Sequence, residues 1–138
     1  MLSWNSRGLG HPSKINALKD LIIQEHPSII LLQETKQRES EINKIIERHK
    51  RYKGCTCEAR GASGGITTIW SQEEWSSEAE VIEQHWIKTV LRNNMCKQQI
   101  VIFNVYAPNH YRDKEVCWDT LSKNIMEEDN SNITLGAI

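Results

Sequence analysis

The sequence feature that most constrains the fold of this chain is a set of short apolar segments that each end in a polar residue. Three of them are Leu2–Asn5, Ile29–Glu34 and Ile100–Tyr106. Segments of this length and composition are typical of buried strands rather than helices. In α/β proteins, side chains at the ends of such strands gather at one edge of the sheet, where binding sites form. We therefore predict that Asn5, Glu34 and Tyr106 face one cleft.

Bulk properties limit the classes of function. A length of 138 residues fits one domain spanning 1–138. With 17 Lys and Arg against 18 Asp and Glu, the net charge of -1 gives no overall attraction for nucleic acid or an anionic membrane. The four cysteines include only a Cys-x-Cys pair, which predicts free thiols in a reducing compartment. Because no signal peptide or membrane-spanning run is present, we expect an intracellular protein with no membrane partner.

The first half of the chain reads as strand, helix, strand, helix. The spacing of apolar residues predicts a helix that opens at Pro12 or Ser13 and ends near Glu25. Residues 28–33 form an almost continuous apolar run, suited to a strand covered on both faces. A second helix follows, and its buried face is predicted from the spacing of four side chains: Ile42, Ile45, Ile46 and His49.

The second half has shorter, alternating segments separated by Gly and polar residues. These predict antiparallel strands at about 52–58, 64–70, 79–92 and 99–106. A third helix is predicted over about 113–127, with an apolar stripe of Trp118, Leu121 and Ile125, and a last strand starts at Ile133. The sequence therefore predicts a mixed α/β fold.

The residue types at two neighbouring strand ends point to metal chemistry. Asn5 offers an amide oxygen and Glu34 a carboxylate, and Mg²⁺ accepts such oxygens while keeping several waters. Ordinary structural roles stay open for the same residues. Asn5 is also a suitable turn cap, Glu34 a common exposed strand end, and Tyr106 a common half-buried strand aromatic.

Five segments, taken in order, resemble the endonuclease/exonuclease/phosphatase superfamily. Within it they are most similar to the apurinic-endonuclease-like domain of plant non-LTR (LINE-type) retrotransposons. The resemblance covers essentially the whole chain. The matching segments are Leu2–Gly10, Ile30–Lys36, Gly61–Ile66, Phe103–Pro108 and Arg112–Trp118.

The resemblance implies a four-layer α/β sandwich of the DNase I-like type that hydrolyses DNA phosphodiester bonds. It implies Mg²⁺ as cofactor, with Mn²⁺ as a substitute, and DNA as partner. Glu34 matches a metal ligand of the family. Asn5 matches a residue that supports the metal and phosphate site and so counts as both a metal and a catalytic residue. Tyr106 matches a catalytic residue that contacts the phosphate.

Two departures from the family pattern lead to a further expectation. Family members continue into Gly-Asp-Phe-Asn, whereas here Gly136 is followed by Ala137 and Ile138, and a later Ser-Asp-His segment has no counterpart. General-base catalysis and transition-state electrostatics are each worth about 10²- to 10⁴-fold in rate. We therefore expect a partial domain, incomplete at the C-terminus, that binds DNA weakly and is catalytically impaired.

Alternatives follow from the same departures. The chain could be a non-catalytic retrotransposon remnant, or belong to the phosphatase branch of the superfamily. His85, expected in the middle of a strand, and His110, expected in a loop, are the candidates for a substitute base. For a DNA endonuclease, the nucleus is one candidate location within the cell.

Overall fold

Two four-stranded sheets and three helices make up the part of the chain that the computed structural model describes, residues 1–128 and 132–137. Ile138, the end of the last apolar run, lies outside these residues. The elements in chain order are β1 (Leu2–Asn5), α1 (Pro12–Glu25), β2 (Ile29–Gln33), α2 (Glu39–Glu47), β3 (Tyr52–Arg60), β4 (Ser63–Ser71), β5 (Trp75–Ile82), β6 (Trp86–Asn93), β7 (Gln99–Val105), α3 (Tyr111–Met126) and β8 (Asn132–Ala137).

The sheet topology brings the first two strand ends together. In the first sheet the order is β1-β2-β4-β3, with β1 parallel to β2 and the other pairs antiparallel. In the second sheet the order is β5-β6-β7-β8, with only β7 and β8 parallel among these pairs. Because Asn5 is in register with Gln33, β1 and β2 end at the same edge.

Strand β2 is buried on both faces, as its continuous apolar run predicts. Ile30 and Leu32 pack in a cluster with residues of α1 and α2, including Leu18 and Ile42. The alternate residues, Ile29 and Leu31, pack against the second sheet. This alternation follows from the two-residue period of a strand.

The second sheet is also covered on both faces. Ile102 of β7 belongs to the core between the sheets, whereas Val101 and Phe103 pack against Cys117 and Leu121 of α3. The layers are thus helix, sheet, sheet, helix. This arrangement confirms the expected four-layer α/β sandwich class.

Three sequence-based predictions of local structure were wrong. The expected strand over 79–92 is two strands, β5 and β6, because the chain turns at residues 83–85. His85 therefore lies in a turn, not in the middle of a strand. His49 follows the end of α2 and donates its backbone N–H to Ile46 in a turn. In α3, Trp118 is 42% exposed, and the buried stripe runs through Cys117 instead, four residues before Leu121.

Strand β5 is an outer strand of the second sheet. It pairs with β6 alone, and a register shift between Ser77 and Ala79 marks a bulge. Its side chains are mostly exposed. Glu78 and Arg92 of β6 form an ion pair on this surface, and the pair lowers the pKa of Glu78.

The structure confirms that all four cysteines are free thiols. Cys55 faces the core between the sheets, and burial raises its pKa to about 12. Burial also raises the pKa of the Cys57 and Cys117 thiols. Cys96, by contrast, is exposed.

These environments predict an order of thiol reactivity. A raised pKa lowers the fraction of thiolate, which is the reactive form, so Cys55 stays protonated well above pH 9. At pH 8 we expect Cys96 to react first with an aromatic disulfide reagent and Cys55 to react only on unfolding. Cys96→Ser should remove the fast phase of labelling. Rapid modification of Cys55 in the folded protein, located by peptide mass spectrometry, would contradict this order.

In residues 1–128 and 132–137, no helix is both long and apolar enough to cross a membrane.

Candidate functional site

The ends of β1 and β2 stay paired beyond the last strand residues. Ser6 donates its backbone N–H to the Gln33 carbonyl at 3.0 Å, and Gly8 donates to the Glu34 carbonyl at 2.7 Å. The Ser6 hydroxyl lies 3.2 Å from both of these carbonyl oxygens and shares its one proton between them. The segments that carry Asn5 and Glu34 are therefore held together by two backbone hydrogen bonds and by the Ser6 hydroxyl, as the parallel pairing predicts.

Asn5 caps the turn that follows β1. Its Oδ1 accepts a hydrogen bond from the backbone N–H of Arg7 at 3.1 Å. Asn5 therefore has the ordinary structural role of a turn cap. This capping does not exclude a role as a ligand, because an amide oxygen has two lone pairs and this contact uses one of them.

Glu34 sits at a sharp change of backbone direction. It adopts a positive φ of 52°, and Lys36 one of 53°. The next residues bond across to the β4 side, where Thr35 donates to the Gly65 carbonyl at 3.1 Å and Lys36 to the Gly64 carbonyl at 2.9 Å. The Glu34 carboxylate pairs with the Lys36 ammonium at 3.2 Å, and its side chain is 19% exposed.

Tyr106 reaches Glu34 from the opposite sheet. It follows β7 directly, and its backbone N–H donates to the His85 carbonyl at 2.9 Å. Burial raises the pKa of Tyr106, and the nearby Glu34 carboxylate raises it further. The hydroxyl therefore stays protonated at neutral pH. The structure places these two predicted site residues close to each other.

A cavity of about 260 Å³ opens beside Tyr106. It contains groups that can donate protons or carry positive charge, and two carboxylates. Its lining includes Arg60, His85, His110, Glu58 and Asp113. The two histidines suggested as substitute bases thus share a cavity with Tyr106, whereas Asn5 and Glu34 are not part of its lining.

Arg60 and Asp113 of this cavity were not predicted from the sequence. Arg60 ends β3 and Asp113 lies in the first turn of α3, and neither follows an apolar strand run. No local sequence signal marks them, because β3, α3 and the segment after β7 meet at this cavity only through tertiary packing.

The oxygen atoms at the strand ends fit a hydrated hard cation. Among residues 1–128 and 132–137, no group of three or more His, Cys, Asp or Glu side chains could enclose a metal ion. One carboxylate from Glu34 and one amide oxygen from Asn5 remain. Mg²⁺ is commonly held by one or two carboxylates together with waters and substrate phosphate, so this small donor set suits it. In the structure, the Glu34 carboxylate pairs with the Lys36 ammonium.

Comparison with known families decides the classification. Residues 2–133 match the endonuclease/exonuclease/phosphatase family. The chain belongs to this family. None of the curated protein sequences that were compared matches it.

Solved structures that share this fold include the following three. A family protein from Bacteroides thetaiotaomicron gives a TM-score of 0.74 at 8% identity, covering 99% of this chain and 62% of that one. The human Nocturnin catalytic domain with bound sulfate gives 0.70 at 13% identity, covering 97% and 60%. The 3′ phosphatase NExo from Neisseria, bound to a product DNA hairpin, gives 0.71 at 12% identity, covering 99% and 56%.

These similarities show the fold, since the identities are low. The chain spans about 60% of the length of the human and Bacteroides structures. What the whole enzymes act on is therefore a matter of proposal for this chain.

Proposed function

We propose that this chain is a phosphodiester hydrolase of the endonuclease type that acts on DNA with Mg²⁺ or Mn²⁺, at a low rate. The placement of the Tyr106 hydroxyl near the Glu34 carboxylate, at the edge where Asn5 ends β1, is the observation that carries the proposal. Membership of the endonuclease/exonuclease/phosphatase family supports a hydrolase. The structure of NExo with a product DNA hairpin supports DNA as the partner.

The roles of the three residues follow from their chemistry. Glu34 and Asn5 would hold the cation through their oxygens. A bound Mg²⁺ would polarise a phosphoryl oxygen and stabilise the leaving group. Tyr106, kept protonated by burial and by Glu34, can donate a hydrogen bond to a phosphoryl oxygen. Arg60, at the cavity beside it, adds positive charge near a bound phosphate.

His85 and His110 are the candidate general bases. Both line the cavity next to Tyr106, so either imidazole could accept a proton from an attacking water there. A positioned general base contributes about 10²- to 10⁴-fold in rate. If one of them acts in this way, its alanine variant should lose that factor while the other alanine variant stays near the wild-type rate.

The low rate is inferred from the residue after Gly136. Ala137 is in register with Val105, so the Ala137 backbone lies next to the strand that leads into Tyr106. The family pattern implied by the resemblance has an aspartate there. Removing one electrostatic contribution to a transition state costs about 10²- to 10³-fold in rate. Origin from a plant LINE-type retrotransposon, and a nuclear location, belong to the same proposal.

Glu34→Gln tests the proposal most directly. The neutral amide keeps the shape of the side chain but loses the charge that a cation needs, so we expect nicking of supercoiled plasmid DNA to fall at least about 10²-fold. The assay compares wild type and variant in Mg²⁺, in Mn²⁺ and in EDTA.

A matched control separates this effect from contaminating nucleases. Glu25→Gln changes an exposed glutamate at the end of α1 and should nick DNA at the wild-type rate. Equal, metal-dependent nicking by wild type and Glu34→Gln would refute the proposal. Metal binding without any turnover would instead support the non-catalytic remnant.

The phosphatase alternative rests on NExo, which is a 3′ phosphatase of the same fold. An oligonucleotide with a 3′-phosphate distinguishes the two reactions. Release of inorganic phosphate with no cut in the plasmid would favour the phosphatase. Cleavage of the plasmid with no phosphate released would favour the endonuclease.

A further inference from the structure

A pair of buried amides joins the two sheets directly behind the candidate site. The Gln33 Nε2 donates to the Asn104 Oδ1 at 2.7 Å, and both side chains are fully buried. Gln33 is the last residue of β2 and Asn104 the next-to-last residue of β7. This hydrogen bond therefore connects the strand that leads into Glu34 with the strand that leads into Tyr106.

The two amides stand where the strand pattern calls for apolar residues. On β2, Ile29 and Leu31 face the second sheet, and Gln33 continues the same face. On β7, Ile102 faces the first sheet, and Asn104 continues that face. The contact between the sheets is thus mostly apolar, with a few buried hydroxyls such as those of Thr68 and Thr89, and its last layer, next to the site, holds this pair of amides.

Further hydrogen bonds fix both amides in place. The Asn104 Nδ2 donates to the Thr67 carbonyl of β4 at 2.9 Å, and the carbonyl of Leu32 lies 3.4 Å from it. The Gln33 Nε2 also donates to the Ser3 hydroxyl of β1 at 3.2 Å. Asn104 is therefore tied to two strands of the opposite sheet, and Gln33 to the neighbouring strand β1.

Stability alone does not account for this pair. Burying polar groups among apolar side chains carries a desolvation cost that hydrogen bonds offset only in part, and apolar replacements of similar shape are often neutral or stabilising. Within residues 1–128 and 132–137, the Gln33 Oε1 is buried without a hydrogen-bond partner. A Met and a Leu would fill the same space without leaving that group unpaired. The amides instead fix the position of one sheet relative to the other, because their hydrogen bonds are directional.

We propose that Gln33 and Asn104 are positioning residues that fix the Glu34 carboxylate relative to the Tyr106 hydroxyl. Glu34 is one residue beyond Gln33, and Tyr106 is two residues beyond Asn104. A slide of the sheets by one strand residue, about 3.3 Å, would displace the two groups by more than the length of a hydrogen bond. The significance of this placement for catalysis rests on the proposed function, but the placement itself does not.

The test uses the double variant Q33M/N104L, which replaces both amides by apolar side chains of similar shape. Removing both amides together leaves neither of them unpaired, while the Thr67 carbonyl and the exposed Ser3 hydroxyl each lose one donor, so we expect only a small change in the urea midpoint. The Tyr106 hydroxyl, however, should move away from the Glu34 carboxylate. The readout is the ¹³Cζ resonance of Tyr106 at neutral pH in protein labelled at tyrosine Cζ. The chain has three tyrosines, and Tyr106→Phe identifies the resonance.

Two references calibrate the shift. Glu34→Gln removes the carboxylate charge and defines the resonance position when that charge no longer acts on Tyr106. The control C55V/T89V changes another buried pair between the sheets, where the Cys55 Sγ lies 3.7 Å from the Thr89 Oγ1. Q33M/N104L should move the resonance at least half of the way to the Glu34→Gln position. The control should leave it at the wild-type position, even if its urea midpoint changes.

A wild-type resonance position in folded Q33M/N104L would overturn the inference. So would an equal displacement in the C55V/T89V control, since the effect would then follow from any weakening of the sheet contact. If the double variant does not fold, N104S gives the same test, because serine is too short to reach Gln33. Absence of DNA nicking by the wild type would count against the proposed function only, since the tyrosine resonance does not depend on activity.

Discussion

Truncating Leu31 to alanine is expected to lower the free energy of unfolding by about 3 to 4 kcal/mol, within the usual range for buried leucines. Leu31 is fully buried between the two sheets. The loss combines the transfer of apolar surface with the cavity that rigid strands on both sides would leave unfilled. Urea unfolding followed by tryptophan fluorescence measures the effect. Ile23→Ala, at a position that is 60% exposed, should change the stability by less than about 1 kcal/mol.

A second substitution tests whether the cavity is the cause. A Cβ at Gly136 would overlap the Leu31 Cδ1, so Gly136→Ala alone should destabilise the wild type. In the Leu31→Ala background, the same methyl group enters the space that Leu31 has left and should recover about 1 kcal/mol. Additive effects of the two substitutions would show that Leu31 and Gly136 do not compete for one volume.

Replacing Gly65 with alanine is expected to cost about 2 to 4 kcal/mol, from backbone strain and from overpacking together. Gly65 has a φ of +90°, which residues with a side chain rarely adopt. A Cβ there would also overlap the Thr35 Oγ1 and lie 3.1 Å from the Lys36 backbone nitrogen. Because these neighbours follow Glu34 directly, the substitution should disturb the candidate site as well as the stability.

Gly64 provides the matched control for this prediction. Its φ of +79° imposes a similar backbone penalty, but no heavy atom lies within 4 Å of a Cβ at that position among the contacts found. We expect Gly64→Ala to cost only about 1 kcal/mol. Thr35→Ala should recover part of the loss in Gly65→Ala, because it removes the overlapping hydroxyl. Equal losses for the two glycine variants in thermal unfolding would exclude an overlap with Thr35.

The strands and helices were predictable where the apolar residues follow one clear spacing, either that of a helix or that of a strand. The helix opening at Pro12 and the fully buried strand β2 were confirmed, since both depend on local spacing of apolar residues. The turn around His85 was missed because residues 79–92 alternate without a Gly or Pro to interrupt them. In α3 the predicted Leu121 and Ile125 do pack against the second sheet, but Cys117 takes the place predicted for the larger Trp118, because Cys117 has the phase that meets Leu121.

The candidate site was predictable only in part. The parallel register of β1 and β2 brings Asn5 next to the segment that carries Glu34. This proximity was predicted, because both residues follow apolar runs typical of strands. The proximity of Glu34 and Tyr106 needs the two sheets to pack in one particular register. That register depends on contacts between residues about 70 positions apart, such as Gln33 and Asn104, which carry no local signal. The functional roles of Asn5, Glu34 and Tyr106 stay predictions.

The bulged strand β5 has a consequence for how the protein behaves at high concentration. An outer strand offers unpaired N–H and C=O groups on which strands of other molecules can assemble. Here the bulge at Ser77 and Ala79 breaks the regular spacing, and Glu80 places an exposed carboxylate on this strand. A second copy adding its own β5 to this edge would meet an irregular ladder and like charge. We therefore expect β5 to resist edge-to-edge aggregation, and a Glu80→Val variant to be less soluble than the wild type.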